Sequence, residues 1–191
     1  MATNKNKSSK TIILVGLMGA GKSSVGRRLA KAMHMQFSDS DDDIAVAAGC
    51  SISDIFSVHG ESIFRDLERR VIARLLSEGP PRVLATGGGA WMNPSVRDLA
   101  EQYAVSVWLR ADIDVLVERV SRKNTRPLLE QGDKFAILDK MAEERNPYYA
   151  LADVVVDSGE GTQEQIIRCI IRRLRESHPH IFLTPCEGTS S

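Results

Sequence analysis

The sequence predicts an α/β fold: a three-layer P-loop domain with a five-stranded parallel sheet and a mobile lid. Five short apolar segments alternate with longer amphipathic ones, which is the pattern of parallel strands joined by crossover helices. Between the first strand and the first helix, residues 16–23 read Gly-Leu-Met-Gly-Ala-Gly-Lys-Ser. This stretch fits the phosphate-binding P-loop pattern and has the strand-to-helix context that the pattern requires.

The order of elements follows from this alternation. We expect strands at 11–15, 35–38, 82–86, 104–109 and 152–156. We expect helices at 24–33, 44–48, 52–58, 61–76, 94–102, 113–120, 134–149 and 163–175. One domain should span 11–176, between a disordered N-terminal tail at 1–10 and a C-terminal tail at 177–191.

A basic segment at about 121–133 contains proline and glycine between two predicted helices, and we expect it to form the lid. Such a loop closes over nucleotide phosphates and excludes water, and Arg126 is the residue we expect to face the transferring phosphoryl group. An ordinary surface loop with solubilising charges is the alternative, and it stays open for Arg122 and Lys123.

Bulk composition excludes several classes of partner. The 191 residues contain 25 Lys+Arg and 25 Asp+Glu, so no net charge attracts the protein to nucleic acid or to an anionic membrane. No apolar run approaches a membrane span, and the polar first ten residues lack the apolar core of a signal peptide. Cys50, Cys169 and Cys186 form no C-x-x-C pair, which favours reduced thiols. We expect a cytoplasmic monomer, with the arginines of the last helix on a solvated face.

Each P-loop position has a physical role. Glycines let successive backbone N–H groups curl around a phosphate, and the helix N-terminus behind them favours an anion. Lys22 reaches the β- and γ-phosphates, and the Ser23 hydroxyl ligates Mg²⁺. A glycine-rich turn that binds nothing would explain the glycines, but not a lysine and a serine at the required offsets.

An acidic run, Asp39-Ser40-Asp41-Asp42-Asp43, follows the second predicted strand. Ligands of open α/β sheets bind at this end of the strands. Phosphoryl transfer needs a carboxylate that orients the metal and a group that accepts the hydroxyl proton. Asp39 and Asp41 alternate, so at a strand end they point the same way, and we assign the chemistry to them. Helix capping accounts for Asp42 or Asp43.

Three further features are ambiguous by themselves. Arg65 and Glu68 share a helix face, and a solvated surface pair is the default for this spacing. Gly87-Gly88-Gly89 end the third strand, either as a flexible turn or to allow a close ligand approach. That strand carries no acid for a metal, so the metal carboxylate must come from elsewhere, and Asp39 is the candidate. Nothing local distinguishes Arg145 from a surface residue.

Taken together, the chain resembles the shikimate kinases over about 11–175. The resemblance is carried by the P-loop, Asp39-Ser40-Asp41, Phe64-Arg65-Asp66-Leu67-Glu68, Gly87-Gly88-Gly89, Arg126-Pro127-Leu128-Leu129 and Arg145-Asn146-Pro147-Tyr148. It implies ATP-dependent phosphorylation of the shikimate 3-hydroxyl, a step towards chorismate and the aromatic amino acids, with Mg²⁺ as cofactor. The alternative is that the protein is another small-molecule kinase of this architecture, such as a gluconate kinase.

The resemblance also implies roles for individual residues. The ATP phosphates would be held by Gly19, Ala20, Gly21, Lys22, Ser23 and Ser24, with Arg126 reaching them from the lid. Mg²⁺ would be bound by Ser23 and, through water, by Asp39. Shikimate would be bound by Asp41, the expected general base, and by Arg65, Gly88 and Arg145. Two arginine forks match a carboxylate, so this implication overrides the surface-pair default for Arg65.

In one place the sequence departs from the family pattern. Family members often place an arginine against adenine in the loop after the last strand, and here that loop, 157–163, contains none. Backbone groups, Thr162 or Gln163 are therefore expected to take over recognition of the base.

Overall fold

The computed structural model describes residues 10–122 and 133–182. Its centre is a five-stranded, all-parallel sheet in the order β2-β3-β1-β4-β5. The strands are β1 (Thr11–Val15), β2 (Gln36–Asp39), β3 (Arg82–Ala85), β4 (Ala104–Arg110) and β5 (Val154–Asp157). The predicted parallel sheet is confirmed, with boundaries that differ by one or two residues.

The central strand β1 lies between β3 and β4, with Leu14 opposite Ala85 on one side and Val107 on the other. All five residues of β1 are buried, as expected for a strand covered on both faces. Because all the strands run the same way, their carboxyl ends meet at one edge of the sheet, and that edge positions the site.

Seven α-helices connect and cover these strands in the described part of the chain. They are α1 (Lys22–Ala32), α2 (Ser40–Ala48), α3 (Ile52–Ser77), α4 (Pro94–Tyr103), α5 (Ile113–Ser121), α6 (Lys134–Tyr149) and α7 (Gln163–Ser177). α1 packs against α7, and α3 packs against α4. The buried residues of α7, namely Ile166, Ile167, Ile170 and Leu174, lie on one helical face, which buries apolar surface against the sheet.

Local sequence signals explain where several helices begin. Asn93 accepts a hydrogen bond from the backbone of Ser95, and Pro94 occupies the first turn of α4. Thr162 and Gln165 form a reciprocal capping box at the start of α7. α3 is interrupted at Gly60, whose φ of 79° is not helical, so the two helices predicted on either side of it are confirmed.

The acidic run after β2 differs from expectation. α2 begins at Ser40 instead of residue 44, and Asp39 is its N-cap, accepting a hydrogen bond from the Asp41 backbone at 3.2 Å. The prediction that Asp39 and Asp41 alternate along a strand end is therefore wrong, because Asp41 lies in the first turn of a helix. The capping carboxylate is Asp39, not Asp42 or Asp43.

Packing also continues past residue 176, where we expected the domain to end. A 3₁₀ helix at Pro179–Phe182 follows α7. Its Ile181 is buried, and the guanidinium of Arg175 lies over the Phe182 ring at 5.2 Å. Within residues 10–122 and 133–182, no helix has the length and apolar content that crossing a membrane requires.

Candidate active site

A cleft of about 400 Å³ opens at the carboxyl edge of the sheet. The P-loop forms one wall, and the start of α2 and the turn after β3 form another. Residues from α5, the loop after β5 and α7 complete the lining. Predicted site residues in this lining are Gly19, Ala20, Gly21, Lys22, Ser23, Ser24, Asp39, Asp41 and Gly88. The P-loop residues are thus brought together with Asp39, Asp41 and Gly88 in one cleft.

The P-loop presents its backbone to this cleft. Gly19 and Gly21 have φ angles of 85° and 89°, a left-handed conformation that other residues rarely adopt. α1 begins directly afterwards at Lys22, two residues earlier than expected, so Lys22 and Ser23 are in its first turn. The Lys22 ammonium donates to the carbonyl oxygens of Gly16 at 2.7 Å and Leu17 at 2.9 Å. The lysine therefore curls back across the loop, beside the helix N-terminus that favours an anion.

Ser23 and Asp39 lie together. The Ser23 hydroxyl donates to Asp39 Oδ2 at 2.5 Å, although the two residues belong to different βα units. Two adjacent oxygen ligands at a phosphate-binding helix suit Mg²⁺. This ion takes few protein ligands and completes its coordination shell with water and phosphate oxygens. Among the residues that the structure describes, no group of three or more His, Cys, Asp or Glu side chains is placed to hold a metal by itself.

Asp41 lies against the turn after β3. A Cβ at Gly87 would lie 3.0 Å from Asp41 Oδ1 and 2.7 Å from Glu68 Oε1. The backbone N–H of Gly87 donates to the Ser40 hydroxyl at 3.2 Å, which ties this turn to the start of α2. A side chain at position 87 would therefore displace one or both of these carboxylates.

Arg65 and Glu68 do not form a solvated pair. Glu68 is only 2% exposed, and Arg65 Nη1 donates to its Oε2 at 2.7 Å. Burial raises the pKa of the Glu68 carboxyl, an effect that the Arg65 charge partly opposes. Burial by itself lowers the pKa of the Arg65 guanidinium, but the carboxylates of Glu68 and Glu61 outweigh it and hold that pKa above its ordinary value. The surface-pair expectation from local spacing is therefore wrong.

The last glycine of the turn contacts Arg65. A Cβ at Gly89 would lie 2.6 Å from both Nη1 and Nη2 of Arg65. Together with the crowding at Gly87, this shows that the glycines leave room for side chains of α2 and α3, whereas a close ligand approach stays a prediction. The turn lacks side chains because charged groups of α2 and α3 pack directly on its backbone.

Arg145 reaches the same turn from α6. Its Nη1 is 3.7 Å from where a Cβ of Gly88 would lie, so Arg65 and Arg145 approach adjacent glycines. One turn further along α6, Tyr149 is fully buried and its hydroxyl donates to the Gly88 carbonyl oxygen. Burial raises the pKa of Tyr149 to about 12 against a lowering by Arg145. The ring stacks on Trp108 at 5.9 Å.

Sequence reasoning missed Tyr149 and also Arg119. Tyr149 had a usable signal, because it lies four residues after Arg145 and so shares its helix face. Arg119 of α5 lines the cleft and donates to the Ser158 carbonyl oxygen at 2.8 Å. It therefore brings a guanidinium to the loop after β5, which has no arginine of its own. Gln163, expected near the base, donates to the Ser24 hydroxyl at 2.9 Å.

Arg126 and most of the predicted lid lie outside the described residues, so the assignment of Arg126 to the phosphates stays a prediction. Arg122, at the start of that segment, lines the cleft and pairs with Glu118. The exposed fractions of the two side chains, 74% and 61%, agree with the surface-loop alternative kept open for this residue.

The parallel sheet, the P-loop and a carboxylate next to two arginines define a P-loop kinase that acts on a small molecule. A family model described as shikimate kinase matches residues 18–175. A shikimate kinase of Caulobacter vibrioides is 54% identical over 170 residues, which are 89% of this chain and 84% of that protein. The chain therefore belongs to the shikimate kinase family, as its sequence motifs predicted.

Solved structures agree with this assignment. A shikimate kinase from Acinetobacter baumannii in complex with shikimate superposes with a TM-score of 0.84 and 32% identity, over 90% of this chain and 96% of that one. A gluconokinase from Sinorhizobium meliloti superposes with a TM-score of 0.60 and 22% identity, over 91% and 97% of the two chains. The second match shows a shared fold alone, so it gives no support to the gluconate alternative.

Proposed function

We propose that this protein transfers the γ-phosphoryl group of ATP to the 3-hydroxyl of shikimate, giving 3-phosphoshikimate and ADP. The observation that carries the proposal is the approach of Arg65 and Arg145 to adjacent glycines beside the P-loop. Guanidinium forks match a carboxylate bidentately, so this pair suits an acidic substrate held next to bound nucleotide. The step serves chorismate and aromatic amino-acid synthesis.

The P-loop amides, Lys22 and Ser24 would hold the phosphates, and Lys22 would neutralise charge that develops on the γ-phosphoryl oxygens. The contact between Ser23 and Asp39 supports a magnesium position at these two residues, with Asp39 acting through water. Held there, Mg²⁺ would offset the negative charge of the phosphates. Arg126 would add a further positive charge from the lid.

Asp41 would accept the proton of the attacking hydroxyl. It lines the cleft between the P-loop and the Gly87–Gly89 turn, where a hydroxyl of the substrate would meet the phosphates. The Gly88 backbone N–H would contact the substrate, while Arg65 and Arg145 fix its carboxylate. Transfer would be a single in-line step, with general base catalysis by Asp41 and no phosphoenzyme. A monomeric state and a cytoplasmic location are part of the proposal.

The test is ADP release from MgATP with shikimate, gluconate and AMP assayed side by side. We expect rapid release with shikimate alone, and a KM for shikimate that rises at least tenfold in Arg65→Ala, because a charge-assisted fork contributes about 1.5–3 kcal/mol. Turnover with gluconate or AMP would contradict the acceptor assignment. An unchanged shikimate KM in Arg65→Ala would contradict the role of Arg65.

A further inference from the structure

The guanidinium of Arg65 has two edges on which a carboxylate can bind. Nη1 is already bonded to the buried Glu68, and the Nη1/Nη2 end of the group lies against the Gly89 backbone. The edge formed by Nε and Nη2 is therefore the one on which an incoming carboxylate can form two parallel hydrogen bonds.

Glu61 takes that edge in the structure. Its Oε1 accepts hydrogen bonds from Arg65 Nε at 3.3 Å and from Arg65 Nη2 at 3.1 Å. Glu61 lies one helical turn before Arg65 on α3, so the two side chains share a helix face.

The two glutamates that pair with Arg65 differ in how easily they leave. The Glu68 side chain is 3% exposed, and its separation from Arg65 would leave a charge buried without its partner. The Glu61 side chain is 68% exposed, so it exchanges the arginine for water at small cost. Glu68 is therefore costly to separate from Arg65, whereas Glu61 is displaceable.

We propose that Glu61 is a built-in competitor of the substrate carboxylate: it occupies the Nε/Nη2 edge of Arg65 and must be displaced when an acidic substrate binds. The proposal rests on the role of Arg65 in the proposed function. Its consequence is that the enzyme binds shikimate more weakly than it would without Glu61. The residue at position 61 therefore influences the affinity for shikimate.

The experiment measures shikimate binding by calorimetry, together with kcat and both KM values, for Glu61→Ala. Because an exposed ion pair is lost on binding only in the parent protein, we expect the Kd and KM for shikimate to fall about two- to fivefold. The kcat and the KM for ATP should stay unchanged. Glu61→Gln, which keeps a hydrogen-bond acceptor without the charge, should tighten binding to a smaller extent.

Asp66→Ala is the matched control. It removes one negative charge from the same helix, but Asp66 pairs with Arg69 and Arg70 and not with Arg65. Equal tightening in Asp66→Ala would overturn the proposal in favour of a general charge effect. Weaker shikimate binding in Glu61→Ala would overturn it too, because Glu61 would then orient Arg65.

The Arg65→Ala background distinguishes a failure of the competition proposal from a failure of the proposed role of Arg65. In the Arg65→Ala protein, Glu61→Ala should have no effect on shikimate affinity, because the Nε/Nη2 edge for which Glu61 and the substrate compete is absent. If Arg65→Ala itself leaves shikimate affinity unchanged, the proposed function of Arg65 fails. If Arg65→Ala weakens binding but Glu61→Ala does not tighten it, only the competition proposal fails.

Discussion

Replacing Gly89 with alanine tests whether the crowded turn after β3 positions Arg65. Gly89 has φ −92° and ψ −16°, which alanine adopts without strain, so the backbone tolerates the change. The new Cβ, however, would lie 2.6 Å from Arg65 Nη1 and Nη2. The perturbation is therefore a displacement of one guanidinium, without backbone strain.

The size of that displacement follows from contact distances. Non-bonded atoms of this kind need a separation of roughly 3.5 Å, so the guanidinium must retreat by about 0.9 Å. A shift of this size is enough to stretch the 2.7 Å hydrogen bond from Arg65 to Glu68 beyond hydrogen-bond range. Loss of a hydrogen bond to a charged group costs about 1.5–3 kcal/mol, and a 1 Å misplacement of a substrate-positioning group costs about 100-fold in rate.

We therefore expect Gly89→Ala to lower kcat/KM for shikimate by about 10- to 100-fold. The KM for ATP should stay near that of the parent, because the P-loop is untouched. The assay is steady-state ADP release with each substrate varied in turn, supported by thermal unfolding to show that the variant is folded.

A folded variant with parental kcat/KM for shikimate would refute the reasoning. A double variant gives a second check. If alanine at position 89 acts through Arg65, then Gly89→Ala should cost little more in the Arg65→Ala background. Full additivity of the two effects would show that the Cβ blocks the substrate directly.

Two further predictions concern proton chemistry. Asp41→Asn should abolish turnover while ATP affinity, measured by calorimetry, stays within about twofold, because the amide cannot accept the hydroxyl proton. Substantial residual turnover would remove Asp41 as the base. Tyr149→Phe should be less stable than the parent by about 1 kcal/mol near neutral pH, because the hydrogen bond to the Gly88 carbonyl is lost. The pKa of Tyr149 is raised from 10.0 to about 12, so the unfolded chain loses this proton first and the stability it contributes declines as pH rises from 10 through 12. Denaturant unfolding across that window should show the two proteins converging, and parallel curves would contradict the assignment.

Local patterns were enough to predict the five parallel strands, the P-loop and most helix boundaries. Strand propensity, helical periodicity and the P-loop pattern each depend on a few neighbouring residues, so they can be recognised from the sequence. The short range of these signals also explains why the placement of Asp39 and Asp41 was wrong. Asp39 and Asp41 were assigned to one strand end, but capping by Asp39 starts α2 at Ser40 and turns Asp41 into a helix.

No local rule identified Arg65 or Arg145, which resemble surface arginines on their own helices. Their assignment came from the family motifs, and the tertiary structure then placed both against adjacent glycines. Tyr149 and Arg119 were missed because each contacts the backbone of a distant segment, at Gly88 and Ser158 respectively. Contacts between distant segments leave no periodic pattern in the sequence.

The sequence by itself therefore determined the fold class, the P-loop and the family. Only the tertiary structure decided which charges are buried, and so which contacts are costly to break. Glu61 and Glu68 lie four and three residues from Arg65 and look alike in sequence, yet their side chains are 68% and 3% exposed. The physical reason is that helical spacing fixes which residues share a face, whereas burial depends on what the rest of the chain packs against that face.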